Sequence, residues 1–406
     1  MSIYIVRPKL TFERLSVGLI SVKLAPESRE AQINAVFSAR SQNPVRQDIQ
    51  SWVADAESRG VTLISKNERD TPVTGTTIVK MSDSEAQRMR QELPNALVVR
   101  DRPIELIQPR RHKTKTVTAD KIQVSDLWHL KAIGLEAARK QGFSGMGAGV
   151  TIAVLDTGID PTHPELDQSV TGAYTFDLAQ WKAEPMVSGH DTDGHGTHVA
   201  GLICGKKVGV APGSKVISGV MIPHALGSLA TFTLALEWAA KRPEVQIVNM
   251  SAGLAGYFPE MRTAVTGLLD VGVLPVFATG NEGRNRTRSP GNYIEPLSVG
   301  ASNGQNRVAS FSSGGVLVSN NHQYIVPDLV APGEGVYSSR MGGGYEAWDG
   351  TSMATPIVSG VAALILEKYP DITVTNLVEK LLDTCQDLGQ PAERQGQGLI
   401  QVKAAL

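Results

Sequence analysis

The sequence predicts an α/β protein: a parallel sheet with helices on both faces, preceded by a small α+β unit of ferredoxin-like order. Three observations predict it. From about residue 122, the short apolar runs VTIAVL, KVISGVMI, QIVNMS, VLPVFAT and PLSVGA alternate with helical stretches. Such alternation marks parallel strands buried on both faces and joined by crossover helices. Residues 1–108 read differently, as short strands and helices in the order β-α-β-β-α-β. Between the two lies QPRRHKTKTVTADK (108–121), polar, basic and without periodicity, which reads as a solvated linker with no interleaved aromatics for nucleic acid. The expected organisation is a unit over 1–108, a linker over 109–121 and a large domain over 122–406.

Within the first unit, LISVKLA (19–25) alternates like a strand, and the polar-apolar stretch 27–57 reads as helix. VTLIS (61–65) and GTTIVKM (75–81) are β-rich runs separated by a loop containing Pro72. Ser82 and Glu85 stand in capping-box register, so a second helix starts there. ALVVRD (96–101) supplies the last strand.

Composition narrows the function. The 406 residues are 41% hydrophobic and 19% charged with a net charge of −1, so bulk charge gives no pull toward nucleic acid or an anionic membrane. The two cysteines, Cys204 and Cys385, have neither metal-ligand spacing nor partners for a disulfide framework. No apolar run reaches membrane-spanning length, and MSIYIVRPKLTFERL lacks the apolar core of a secretory signal. The expectation is a cytoplasmic protein.

Three motifs carry chemistry. Asp156 follows the apolar run VTIAVL, at the carboxyl end of a strand, where open parallel sheets gather their functional groups. His195 lies in DGHGTHVAG, at a glycine-flanked entry to a helix, and Ser352 lies in AWDGTSMATP at another loop-to-helix junction. Taken singly, Asp156 is a turn residue and Ser352 a helix cap. An aspartic-protease reading of LDTG needs a second D-T-G, and the chain has one. A metal on His195 and His198 lacks an obvious third ligand. Together the residues meet a specific need. A serine hydroxyl attacks an amide at neutral pH only when an imidazole takes its proton, and a carboxylate must hold that imidazole. Asn281, in VFATGNEG, supplies a side-chain amide that can donate to the developing oxyanion beside the Ser352 N–H.

The motifs VLDTGID, GHGTHVAG, TGNEG and GTSMATP, in the order Asp, His, Ser, resemble the subtilisin-like serine proteases over about residues 122–400. The resemblance implies a serine endopeptidase acting on proteins or peptides, with Asp156, His195 and Ser352 as triad and Asn281 as oxyanion donor. It implies that Ser251, Ala252 and Gly253 form one wall of the substrate cleft, and Gly227, Ser228 and Leu229 the opposing edge. Arg288 would reach the floor of the primary pocket and favour an acidic side chain. The first unit would be a propeptide, a folding chaperone and inhibitor whose tail ELIQ (105–108) occupies the cleft. The chain would then be made as a zymogen. Self-cleavage would fall near Gln108, where Pro109 makes a poor leaving group, so processing is expected between Arg110 and Gln123. The same triad would serve a transpeptidase or macrocyclase, in which an amine replaces water. A catalytically silent peptide-binding pseudoprotease would keep the fold, but all four catalytic positions are intact.

Departures from the family pattern are also legible. Only residues 202–208 separate HVAG from GVAP, too few for the main calcium loop, and Glu165 is a single carboxylate where six to eight oxygens are needed. No calcium at that site and no other cofactor is expected. Ile357 stands where a histidine is usual, and 167–192 reads as a surface insertion near the cleft.

Overall fold

The computed structural model describes residues 1–9, 23–24, 26–65, 70–111, 122–319 and 321–405. The N-terminal unit contains β1 (Ser2–Pro8), α1 (Arg29–Ser41), α2 (Pro44–Asp55), β2 (Thr62–Leu63), β3 (Thr77–Met81), α3 (Asp83–Glu92) and β4 (Ala96–Arg100). Two short strands follow, β5 (Pro103–Leu106) and β6 (Arg110–Arg111). The large domain continues with α4 (Trp128–Ala132), α5 (Leu135–Lys140), β7 (Thr151–Asp156), β8 (Val170–Asp177), β9 (Lys182–Pro185), α6 (His195–Cys204), β10 (Lys215–Val220) and β11 (Leu226–Ser228). Then come α7 (Leu229–Ala240), β12 (Val245–Met250), β13 (Ala252–Ala255), α8 (Arg262–Asp270), β14 (Leu274–Ala278), β15 (Arg288–Ser289), β16 (Leu297–Ser302), β17 (Gly315–Ser319) and β18 (His322–Val326). The chain closes with β19 (Leu329–Pro332), β20 (Val336–Ser339), β21 (Tyr345–Asp349), α9 (Thr351–Lys368) and α10 (Val374–Asp383).

The large domain is built on an eight-stranded sheet in the order β19-β16-β14-β12-β7-β10-β8-β9. Every pair in it is parallel except β8 with β9. Alternation along β7 explains its two-sided burial: Ile152 and Val154 join the core under α6 and α9, while Ala153 and Leu155 join the core under α7 and α8. Strand order reverses at β7, so its carboxyl end is a topological switch point. The residues expected to form a surface insertion instead add β8 and β9 to the sheet edge. No helix among the described residues is long and apolar enough to cross a membrane.

The N-terminal sheet has the order β2-β3-β1-β4, with every pair antiparallel. The expected β-α-β-β-α-β order holds, but its first strand lies elsewhere. Residues 2–8 form that strand, and of the predicted 19–25 strand, 19–22 and 25 lie outside the described residues. The signal for β1 is the continuous apolar run Ile3 to Val6 in SIYIVRP. Tyr4 and Val6 pack under α2 and α3, whereas Ile5 on the opposite face joins the core of α7 and α8. The predicted helix over 27–57 is two helices. Pro44 has no N–H to continue α1, and Asn43 caps α2 by accepting from the Val45 and Arg46 N–H groups at 3.0 and 3.4 Å. The Ser82 cap is present, accepting from the Glu85 N–H at 3.2 Å.

Docking of the two units rests on buried polar contacts as well as apolar ones. Arg29, 1% exposed, donates to the carbonyls of Ala240, Arg242, Val245 and Gly272 at 2.8–3.3 Å. Those carbonyls lie just past the ends of α7 and α8 and at the start of β12, where no helical partner exists for them. Glu237, on α7, accepts from the Val73 and Thr74 N–H groups at 3.0 and 2.7 Å. Leu24 is fully buried against the large domain, and its N–H bonds the Ile372 carbonyl at 3.3 Å.

Candidate active site

Asp156 ends β7, His195 opens α6 and Ser352 sits in the first turn of α9; all three are fully buried. Glycines let the first two loops meet. A Cβ on Gly158 would lie 2.2 Å from the His190 carbonyl oxygen, and one on Gly196 would lie 1.9 Å from the Gly158 carbonyl oxygen. Gly158 also has φ of +121°. This close approach brings His195 Nδ1 to 2.7 Å from Asp156 Oδ1. A carboxylate cannot donate, so Nδ1 carries the proton and Nε2 is the basic nitrogen. Burial pulls the imidazole pKa down, but the charge and hydrogen bond of Asp156, with Asp191 and Asp193 beyond, more than offset it, and the net shift is upward.

Asp191 was not foreseen in this role. Its Oδ1 accepts from Thr157 Oγ1 at 2.7 Å and the Gly194 N–H at 2.9 Å, and its Oδ2 accepts from the Thr197 N–H at 2.8 Å. It thereby joins the residue after Asp156 to the turn carrying His195. The signal was an acidic residue ahead of a helix start, the pattern of a cap. Trp348, also missed, stacks on His198 with ring centroids 4.6 Å apart and on His195 at 5.8 Å. His198 donates from or accepts at Nε2 to the Glu346 carbonyl at 2.9 Å, and since a carbonyl only accepts, Nε2 donates. Burial lowers its pKa to about 3, so it is a neutral packing group. Among the described residues no three His, Cys, Asp or Glu side chains are grouped as a metal site.

Asn281 follows β14. Its Oδ1 accepts from the Thr351 N–H at 2.9 Å and Thr351 Oγ1 at 3.0 Å, which turns the amide nitrogen toward the cleft beside the start of α9. Thr351 is thus an orienting residue that the motif GTSMATP contained but sequence reasoning left unassigned.

The cleft holds the protein's own chain. β5 is the inner strand of a four-stranded sheet ordered β11-β5-β13-β15. Glu105, Ile104 and Pro103 pair with Leu226, Gly227 and Ser228, and Leu106 and Glu105 pair with Ala252 and Gly253. The Leu229 N–H bonds the Arg102 carbonyl at 3.0 Å, and the Ile107 N–H bonds the Ser251 carbonyl at 2.9 Å. Every residue expected along the two cleft edges therefore contacts backbone of 102–107: residues 227–229 meet 102–104, ahead of the expected tail, and 251–253 meet 105–107. Side chains alternate as an extended strand requires up to Leu106: Ile104, Leu106 and Ile107 are buried, and Glu105 and Gln108 are exposed. Beyond Ser352 the chain continues as β6, pairing Arg110 with Asp349 and Arg111 with Trp348. The start of the expected linker is therefore strand, and 112–121 lie outside the described residues.

At the nucleophile the register is split. Ser352 Oγ donates to the Ile107 carbonyl at 3.1 Å, while Asn281 Nδ2 donates to the Gln108 carbonyl at 3.0 Å. The two catalytic groups thus address two successive carbonyls, on either side of the Ile107–Gln108 bond. His195 Nε2 has no hydrogen-bond partner among the described residues.

Arg288 is near the cleft wall, but not as a free cation. Its Nε donates to Glu282 Oε1 at 2.6 Å and its Nη1 to the Gly253 carbonyl at 3.2 Å. The adjacent carboxylate offsets its field, which removes the basis for an acidic preference. Glu165 is equally committed: Oε1 accepts from Tyr345 Oη at 2.7 Å, and Oε2 from the Lys207 and Val208 N–H groups at 2.7 and 3.2 Å. Both carboxylate oxygens of Glu165 are therefore engaged by protein donors. Ile357 is fully buried in the α9 core.

Comparison with known proteins agrees with this geometry. Residues 147–399 match the subtilase family. The chain is 36% identical over 285 residues to alkaline elastase YaB of Bacillus sp. (strain YaB), covering 68% of this chain and 69% of that protein. It is 35% identical over 284 residues to subtilisin Savinase of Lederbergia lenta, covering 68% of this chain and 97% of that protein. The crystal structure of fervidolysin from Fervidobacterium pennivorans, described as a keratinolytic enzyme related to subtilisin, superposes with a TM-score of 0.69 at 21% identity. That superposition covers all of this chain, which spans 60% of the fervidolysin chain. With the motifs, the sheet and the Asp156–His195 pair in agreement, the chain belongs to the subtilase family of serine endopeptidases.

Proposed function

We propose that this protein is a serine endopeptidase made as a zymogen, with residues 1–108 acting as an intramolecular inhibitor of the domain that follows. One observation carries the reading: the tail lies in the cleft as an added strand, with a backbone carbonyl on Ser352 Oγ. A substrate takes the same path. His195 Nε2 removes the Ser352 proton as Oγ attacks the scissile carbonyl carbon. Asp156 stabilises the imidazolium, and Asn281 Nδ2 with the Ser352 N–H holds the oxyanion. His195 then protonates the leaving amine, and water enters by the reverse sequence. The buried Ile104, Leu106 and Ile107 serve as a template for the preferred substrate, aliphatic at those positions.

The split register supports slow self-cleavage. At Ile107 the carbonyl lacks the Asn281 donor, and at Gln108 the leaving nitrogen belongs to Pro109, whose ring blocks proton delivery. Processing then falls in the stretch after Arg110, before Gln123. Incubating the purified protein with a fluorophosphonate probe and following its mass over time tests this. Labelling at Ser352, absent from Ser352→Ala, together with a new N-terminus between 111 and 123 supports the reading; full activity from the uncut chain sinks it. With both Glu165 oxygens engaged by protein donors, excess EDTA should lower Tm by no more than about one to two degrees.

A further inference from the structure

The two units leave a cleft of about 840 Å³ between the end of β1, the α1–α2 junction and α8, a size that accommodates a small molecule. Arg7, Lys9 and Arg40 line it from the N-terminal unit, and Thr263, Thr266 and Asp270 from α8. Asp270 is the single carboxylate among its lining residues, and it is already used, by Arg40 Nη2 at 3.1 Å.

Neither Arg7 nor Lys9 forms an ion pair among the described residues, and Lys9 Nζ donates to the Pro94 carbonyl at 2.5 Å. Arg7 is 4% exposed, yet its guanidinium donates only to backbone carbonyls, of Pro8 at 3.0 Å and Glu260 at 3.2 Å. Burial lowers its pKa to about 10. The Glu260 carboxylate acts on it without an ion-pair contact and is shared with Arg102 Nη2 at 3.6 Å, so an added anion is favoured there. Among the described residues, the buried atoms Arg40 Nη1 and Thr263 Oγ1 have no hydrogen-bond partner. One donor comes from each unit, and both belong to the same cleft. The start of α2 adds nothing, because Asn43 already takes its N–H groups.

We propose that this cleft binds a small phosphate-bearing anion, held by Arg7, Lys9 and Arg40 on one side and Thr263 on the other. Such a ligand touches both units, so its binding free energy is available only while they are docked. By linkage, a concentration of about 100 times Kd suppresses undocking by about 10²-fold. The ligand is then a co-inhibitor, and its loss favours release of the active cleft. The regulatory half of this rests on the inhibitor role proposed above; the binding half does not.

Full-length protein carrying Ser352→Ala, which removes self-cleavage, is titrated calorimetrically with pyrophosphate and with inorganic phosphate at constant ionic strength. Saturable binding and a raised Tm are expected, with pyrophosphate the tighter of the two. Binding should weaken at least about tenfold in both Arg40→Gln and Thr263→Val; the second change keeps volume and removes one hydroxyl. No saturable binding, or equal binding in Thr263→Val, overturns the site. In the active chain, pyrophosphate should slow the appearance of activity about 10²-fold at saturation. Binding without that delay leaves the site standing and overturns the inhibitor reading.

Discussion

The eight-stranded sheet of the large domain and the four-stranded sheet of the N-terminal unit solve different problems. The eight-stranded sheet is buried on both faces and places Asp156 at the end of one strand by backbone pairing with β10 and β12. The four-stranded sheet packs one face under its own α2 and α3 and offers the other to α7 and α8. Its grip depends on a few polar anchors, Arg29 and Glu237 foremost. A site built on a rigid scaffold loses function when a catalytic group changes. A docked unit instead loses occupancy when an anchor changes, and the catalytic groups stay in place.

That contrast is sharpest at the catalytic end of the large sheet. Replacing Asp156 with Asn should reduce kcat by about 10⁴ with little change in Tm, because the His195 tautomer is lost while the shape is kept. Activity of the processed wild-type enzyme should rise with pH through the upward-shifted His195 pKa, since the base must be neutral. A pH–rate profile and melting curve check both. Asn281→Ala should lower kcat by about 10²–10³ with KM nearly unchanged; an unchanged kcat would remove Asn281 from the oxyanion site.

How much of this was legible follows the same division. The parallel strands announced themselves as continuous apolar runs, and each catalytic residue sat in a motif at a strand or helix end. Asp191, Thr351 and Trp348 were not legible, because orienting residues have no residue-type signature apart from the group they orient. Arg288 was expected at the floor of the primary pocket as a free cation, but Glu282 makes it half of an ion pair. In the N-terminal unit, β1 was missed because the apolar run in SIYIVRP serves two cores at once, Tyr4 and Val6 in one and Ile5 in the other, so no alternation marks it. The single helix over 27–57 was drawn through Pro44, whose ring ends one helix and starts another.

The docked unit should break at Arg29. Arg29→Met keeps the length of the side chain but leaves four carbonyls without their donor. Each hydrogen bond from a charged group contributes about 1.5–3 kcal/mol net, so even the worth of a single one makes undocking about 10- to 10²-fold easier. Limited proteolysis in the Ser352→Ala background reads this as faster digestion of residues 1–108 with the large domain intact. Equal digestion rates would place the grip elsewhere.

The smallest effect expected is on stability alone, at the end of the large sheet away from the catalytic groups. Asp328 precedes β19, and its Oδ2 accepts from the Ser298 N–H at 2.7 Å. Burial raises its pKa to about 7, and the Ser298 bond opposes this only in part. The folded state therefore binds this proton more tightly than the unfolded chain does, whose Asp titrates near 3.8. The resulting stability is fully present below about pH 4 and is lost as pH rises from there through about 7. Asn at 328 keeps an acceptor for the Ser298 N–H and has nothing to titrate. Asp328→Asn should thus melt at nearly the wild-type temperature at pH 4 and above it at pH 8, with kcat unchanged in the processed enzyme. The difference between the two melting temperatures, followed from pH 4 to 8, isolates this one group from the other carboxylates. A flat difference would mean that Asp328 is ionised in the fold and that solvent, with Ser298, compensates its charge.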